Sequence, residues 1–275
     1  MIRSLAMAAC LALSCAFSAP ATAQSVKPTV TALKGGVPKT FLFVGNSFYY
    51  YNNSMHSYFL DLARKADAAA AKDYRGTSVT ISGSGLNWHD MEGYFGKGMA
   101  SYSFDDQNAV TFNSFEKPFD VVVMNDCSQC PVHPQLAPLF TEYVKKHGDT
   151  IRAHKAEPVL FMTWAYENKP EMTEQLAAAY TREGNANGML VIPAGLAFAE
   201  ARKRRPDLAL YQPDRRHPTL LGTYLGAATA YAALYGKSPV GNPSAGLPAI
   251  GMVDKPTAAF LQEVAWDTVK SYYGR

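Results

Sequence analysis

The sequence predicts an α/β domain: a three-layer α/β/α sandwich around a central parallel sheet of about five strands. Two observations carry this. Short apolar runs rich in β-branched and aromatic residues recur along the chain, as expected for strands covered on both faces. Between them lie longer stretches whose apolar residues fall at helical spacing. Strand followed by helix, repeated, sets successive strands parallel and covers both sheet faces with helices.

Residues 24–38 are polar and spotted with Pro and Gly, and read as a lead-in. Phe41-Leu42-Phe43-Val44 is then a buried strand bounded by Gly45. Met55, Phe59, Leu62, Ala63 and Ala66 recur at helical spacing. Val79 and Ile81 alternate with polar residues, which suits a less central strand. Residues 91–117 are rich in Gly, Ser, Asn and aromatics without a sustained period; they predict a long excursion beside the site, with a helical turn or two. Phe119–Met124 (FDVVVM) is a strong buried-strand signal, followed by a helical pattern at Leu136, Leu139, Phe140 and Val144. Pro158–Trp164 (PVLFMTW) is the fourth strand; Met172, Leu176, Ala179 and Tyr180 mark the next helix; Met189–Ile192 is the fifth strand. Residues 218–235 and 255–272 close the chain as two helices, the first opened by Pro218. With no internal repeat, low-complexity block or linker, residues 39–275 form one domain.

Residues 1–23 have the form of an export signal. Arg3 precedes an apolar stretch from Leu5 to Ala19, and Ala21-Thr22-Ala23 has the small-x-small form of a cleavage site. Cleavage is expected before Gln24, with delivery to the periplasm or the medium. Over the whole chain, 48% apolar and 18% charged residues exclude a disordered, collagen-like or coiled-coil protein. A net charge of +3 gives no field that calls for nucleic acid. No apolar run after residue 25 reaches 18 residues, so no stable membrane insertion is expected there.

Ser47 stands just past the carboxyl end of the first strand, the edge where open α/β sheets bind ligands. Gly45 permits a tight turn, from which the serine can present its hydroxyl to a cleft and its N–H to a developing oxyanion. Serines after strands also serve as ordinary turn residues. Near the other end, Asp214 and His217 are three apart in a loop before a helix. That spacing lets a carboxylate fold back on an imidazole N–H and fix its tautomer. The same pair also suits a turn aspartate and a helix-capping histidine.

The order and placement of these blocks resemble the SGNH hydrolase superfamily, the GDSL-type esterases and lipases, over essentially the whole chain after the leader. Gly45-Asn46-Ser47 resembles the first block, with GNS for the commoner GDS. Ser84-Gly85 resembles the second, Asn125 in Met124-Asn125-Asp126 the third, and Asp214-x-x-His217 the fifth. The resemblance implies a flavodoxin-like sandwich and a triad of Ser47, His217 and Asp214. It also implies an oxyanion hole from the N–H groups of Ser47 and Gly85 and the Asn125 amide. The implied chemistry is ester hydrolysis through an acyl-enzyme, without cofactor or metal. Gly83 lies two residues from Gly85 and competes for its role. Asn46, Met124 and the Cys-Ser-Gln-Cys run after Asn125 depart from the family pattern and place the chain in a peripheral branch. The implied substrate is a carbohydrate O-acetyl or short-chain acyl ester. Rival readings are a lysophospholipase, thioesterase or polyester-type hydrolase with the same triad, or a non-catalytic exported glycan-binding protein.

Cys10 and Cys15 fall in the leader, leaving Cys127 and Cys130. In an oxidising compartment they are expected to form a disulfide pinning the Asn125 loop. A redox pair is the rival, and a metal site with His133 lacks a fourth ligand. Tyr49, Trp88 and Trp164 are expected to contact substrate, with Tyr166 beside them. Arg215 and Arg216 read as solvated surface arginines or as an attraction for an acidic substrate. The run Arg202–Arg205 reads as charge complementing a helix end.

Overall fold

A computed structural model describes residues 26–275; the expected leader at residues 1–23 lies outside the described residues. The central sheet is built from β1 (Thr40–Gly45), β2 (Arg75–Thr80), β5 (Val121–Met124), β6 (Glu157–Phe161) and β7 (Leu190–Ile192). All four pairings are parallel, in the order β2-β1-β5-β6-β7. The expected three-layer architecture is therefore present. Edge strand β2 is only half-buried along its whole length, as its alternating pattern suggested.

Side-chain alternation sorts the core into two layers. Phe41, Phe43, Val121, Val123, Val159 and Phe161 face α2 (Met55–Ala66), α5 (Ala194–Arg204), α6 (Leu220–Tyr235) and α7 (Lys255–Tyr273). Leu42, Val44, Val122, Met124 and Leu160 face α3 (Ala137–Ala153) and α4 (Met172–Asn187). Helix α6 is Ala-rich and buried nearly all round, so it forms the centre of its layer. Among the described residues, no helix is long and apolar enough to cross a membrane.

The chain winds from β1 outward to β2, then returns past β1 to β5 and continues the other way. The order thus reverses between β1 and β5, and the loops leaving their carboxyl ends diverge there. This is the crevice at which an open α/β sheet accommodates a ligand.

Three elements differ from the sequence reading. The excursion at 91–117 contains an antiparallel hairpin, β3 (Tyr102–Phe104) with β4 (Val110–Phe112). Its turn is made by Asp105, whose side chain accepts from the Gln107 and Ala109 N–H groups, and by Asn108 at φ 61. Helix α5 was expected only as an end near Arg202; its short Ala-rich stripe lacks a strong period. Strand β6 stops at Phe161, so Trp164 lies beyond the sheet. The lead-in packs Val30 and Leu33 against the core, and the Lys34 N–H donates to Glu157.

Gly45 is fixed by a close approach. A Cβ there would lie 1.7 Å from Asn125 Oδ1 and 3.0 Å from Tyr49 Cδ2. Gly45→Ala should lower unfolding free energy by about 2–3 kcal/mol, since both neighbours are themselves buried. Urea denaturation measures it; an unchanged midpoint would show that the approach is not tight.

Candidate active site

The site is assembled at the β1/β5 crevice from five loops. After β1, Asn46 caps the one-turn helix α1 (Ser47–Tyr50): its Oδ1 accepts from the Phe48 N–H at 3.1 Å. The same amide donates through Nδ2 to Ser84 O (3.0 Å) and Asp126 O (3.1 Å). One buried side chain thus ties the loops after β1, β2 and β5 together. An aspartate could not do this, because an ionised carboxylate only accepts.

Ser47 opens α1, so its N–H has no intrahelical acceptor. Its Oγ lies 2.8 Å from His217 Nε2, across 170 residues of sequence. On the far side of the ring, His217 Nδ1 is hydrogen-bonded to Asp214 Oδ2. Asp214 Oδ1 accepts from the backbone N–H groups of Arg216 and His217, each at 3.0 Å. Burial opposes ionisation of Asp214, but the His217 side chain and these two N–H donors hold its carboxyl down at about 2. An ionised carboxylate must be met by Nδ1–H, which leaves Nε2 of a neutral ring to accept from Ser47.

The loop carrying Asp214 and His217 is itself held. Tyr211 bridges Pro218, the Gln212 N–H donates to His217 O, and Trp164 Nε1 donates to Arg216 O at 2.9 Å. The His217 ring stacks on Tyr51 (4.4 Å between centroids, 8° between planes) and meets Phe48 edge-on. Asn52 Nδ2 donates to Pro218 O, joining the α1 turn to this loop.

Ser47 and His217 open onto a cleft of about 290 Å³. Ser82, Gly83, Ser128, Gln129, Tyr166 and Arg216 line the rest of it. A larger hollow, about 570 Å³, lies at the opposite sheet edge under the lead-in. The hydrogen bond between Ser47 and His217, not size, singles out the smaller one. Cys127 and Cys130 are disulfide-bonded, closing the short loop that presents Ser128 and Gln129. Ser128 Oγ is 2.6 Å from the Tyr166 hydroxyl, so this loop is pinned across the cleft.

Five expected contacts are corrected. Tyr49 is fully buried between Phe43 and Phe161, because it lies on the inner side of α1. Trp164 is fully buried, sandwiched between Phe48 (4.5 Å) and Phe198 (4.1 Å). Neither can touch a substrate. Asn125 follows the β5 alternation onto the Val121 and Val123 face, where its buried amide covers Gly45 and does not line the cleft. Its Oδ1 and Nδ2 have no hydrogen-bond partner. Gly85 packs against Asp126 and Asn87, whereas Gly83, at φ +72, lines the cleft. Trp88 is exposed and does not line the cleft. The contributions of Tyr51, Ser82, Ser128 and Gln129 were not read from the sequence; the aromatic run at 49–51 and the Cys-flanked Ser-Gln pair were the available signals.

Beneath the cleft, Asp126 accepts from the N–H groups of Leu86 (3.0 Å) and Cys127 (2.7 Å). Burial raises its carboxyl to about 6 despite those two donors. Burial, reinforced by His147, lowers neighbouring His89 to about 4.

No protein-family model matches the chain, nor does any curated protein sequence. Solved structures do match. A DUF4886 family protein from Bacteroides uniformis superposes with a TM-score of 0.54 at 17% identity, covering 84% of this chain and 94% of its own. A candidate SGNH hydrolase from Slackia heliotrinireducens gives 0.51 at 18% identity, covering 70% and 97%. The acetyl xylan esterase AlAXEase gives 0.51 at 14% identity, covering 70% and 98%. The chain therefore has the fold of the SGNH hydrolases.

Two outcomes follow from the buried polar groups. Asn46→Asp should cost about 3 kcal/mol, as two carbonyls lose their donor and face a carboxylate instead; equal urea midpoints for the two proteins would contradict the clamp. Asp126 binds its proton more tightly folded than unfolded, so its stabilising contribution is complete below about pH 4 and lost as pH rises through about 6. Asp126→Asn keeps the Oδ1 acceptor and removes the charge. It should raise unfolding free energy by about 1–3 kcal/mol at pH 8 and change little at pH 4; parallel pH–stability curves would count against a strained carboxylate.

Proposed function

We propose that this chain, built on the SGNH hydrolase fold, is an exported serine esterase that cleaves a short acyl group, such as a saccharide O-acetyl, through an acyl-enzyme on Ser47. The observation that carries the reading is the unbroken hydrogen-bond chain from Asp214 through His217 to Ser47 at the sheet crevice.

In this mechanism His217 Nε2 takes the Ser47 proton as Oγ attacks the ester carbonyl carbon. Asp214 holds the ring in the required tautomer and stabilises the imidazolium that forms. The negative oxygen meets the N–H of Ser47, with Gly83 as the second donor in place of Gly85. Each well-placed donor contributes about 3–4 kcal/mol to lowering the barrier. His217 then protonates the leaving alcohol oxygen. Water, deprotonated by the same nitrogen, attacks the acyl carbon; the acid leaves and the Ser47 hydroxyl is restored.

The modest cleft, about 290 Å³, suits a small acyl group. The name of one structural neighbour, an acetyl xylan esterase, points the same way. The leader-like residues 1–23 and the Cys127–Cys130 disulfide both suit an oxidising compartment outside the cytoplasm.

Ser47→Ala should keep the wild-type circular dichroism spectrum and lower kcat on 4-nitrophenyl acetate by at least about 10⁴-fold. The wild type should be labelled at Ser47 by a fluorophosphonate. Undiminished hydrolysis by the variant would reject the assignment, and folded protein that resists the label and cleaves no ester would support a binding role.

A further inference from the structure

Arg216 is the only residue with a permanent charge among those lining the cleft, and no carboxylate lines it. Its backbone is held at both ends: the N–H donates to Asp214 Oδ1, and the carbonyl accepts from Trp164 Nε1. The side chain lies over the Tyr166 ring, with Cζ 5.6 Å from the centroid. That ring is in turn tied to Ser128 of the disulfide-closed loop. The cation therefore rests on a fixed aromatic platform one residue from the base.

Nearby acids are engaged elsewhere. Asp214 is committed to His217, and Glu167 faces Arg202 at 3.6 Å. Among the described residues, no carboxylate pairs with Arg216 and no protein acceptor takes its side-chain N–H groups. With no protein acceptor, the guanidinium keeps its in-plane donors, whose fork geometry matches a carboxylate. A cation of this kind on the cleft wall stabilises an anion brought in with the substrate.

We infer that the cleft selects esters that carry a carboxylate close to the scissile bond, with Arg216 as the residue that receives it. This rests on the esterase reading above and adds the charge of the substrate. The carboxylate can belong to the alcohol portion, as in an acetylated uronic acid, or to the acyl portion, as in a half-ester of a dicarboxylic acid.

Matched ester pairs test both sources. On the alcohol side, 4-acetoxybenzoate is compared with its methyl ester. On the acyl side, the phenyl half-ester of adipic acid is compared with phenyl hexanoate. Each kcat/KM at pH 7 is divided by that ester's alkaline hydrolysis rate. The wild type should favour the carboxylate member of at least one pair by about three- to twentyfold. Arg216→Gln should abolish the preference, Arg216→Lys should retain part of it, and Arg215→Gln should retain it, since Arg215 does not line the cleft. Equal handling of both members in both pairs, or a preference that survives Arg216→Gln, would overturn the inference. If neutral esters are cleaved while this occurs, the esterase reading still stands; if no ester in either pair is cleaved, both fall together.

Discussion

The geometry of the crevice depends on one buried amide. Parallel strands run about 4.8 Å apart, and the loops leaving β1, β2 and β5 would otherwise be free to separate at the sheet edge. Asn46 uses both Nδ2 hydrogens and its Oδ1 to join them. This gives a physical reason for asparagine before the serine in this chain, where the related pattern commonly has aspartate. Asp126, whose carbonyl receives one of the bonds, already carries a buried carboxylate with raised proton affinity. A second acid at 46 would bring like charge to the same spot and remove the donors that close the crevice.

A second constraint is aromatic. Phe48, Trp164 and Phe198 stack in succession, so the core extends to the carboxyl edge of the sheet. Trp164 then places its one polar atom on the backbone of the Asp214–His217 loop, and Tyr51 supports the imidazole face. The large rings near Ser47 thus serve mainly to position His217. That leaves the cleft wall to smaller polar groups and to Tyr166 and Arg216. Confinement by packing is less costly than confinement by hydrogen bonds alone, because apolar contact needs no desolvated donor or acceptor.

Strands β1, β5, β6 and β7 were legible because each is a continuous apolar run that is buried, and β2 from its alternation; α2, α3 and α4 were legible because their apolar residues keep one side. Hairpin β3–β4 was not, since its aromatic side chains are exposed and obey no burial pattern. Helix α5 was missed because alanines carry little periodic contrast. At the site, Ser47 could be placed from its position after β1, and Asp214 with His217 from their spacing. Asn125 is two residues past Val123, so strand alternation carries it to the same face and under Gly45. Motif position suggested the cleft; the strand period prevailed.

The sequence alone determined the local matters: which segments become strands, that the chain can turn sharply at Gly45, and that Asp214 can reach back to His217. These depend on residue type and spacing within one turn or one strand. Tertiary structure decided which distant groups meet. It brought Ser47 to His217, turned Tyr49 and Trp164 inward, set Gly83 rather than Gly85 at the opening, and placed Arg216 over Tyr166. Each of these follows from how helices and loops pack above the strand ends, an outcome of the whole chain's contacts that no short stretch of residues encodes.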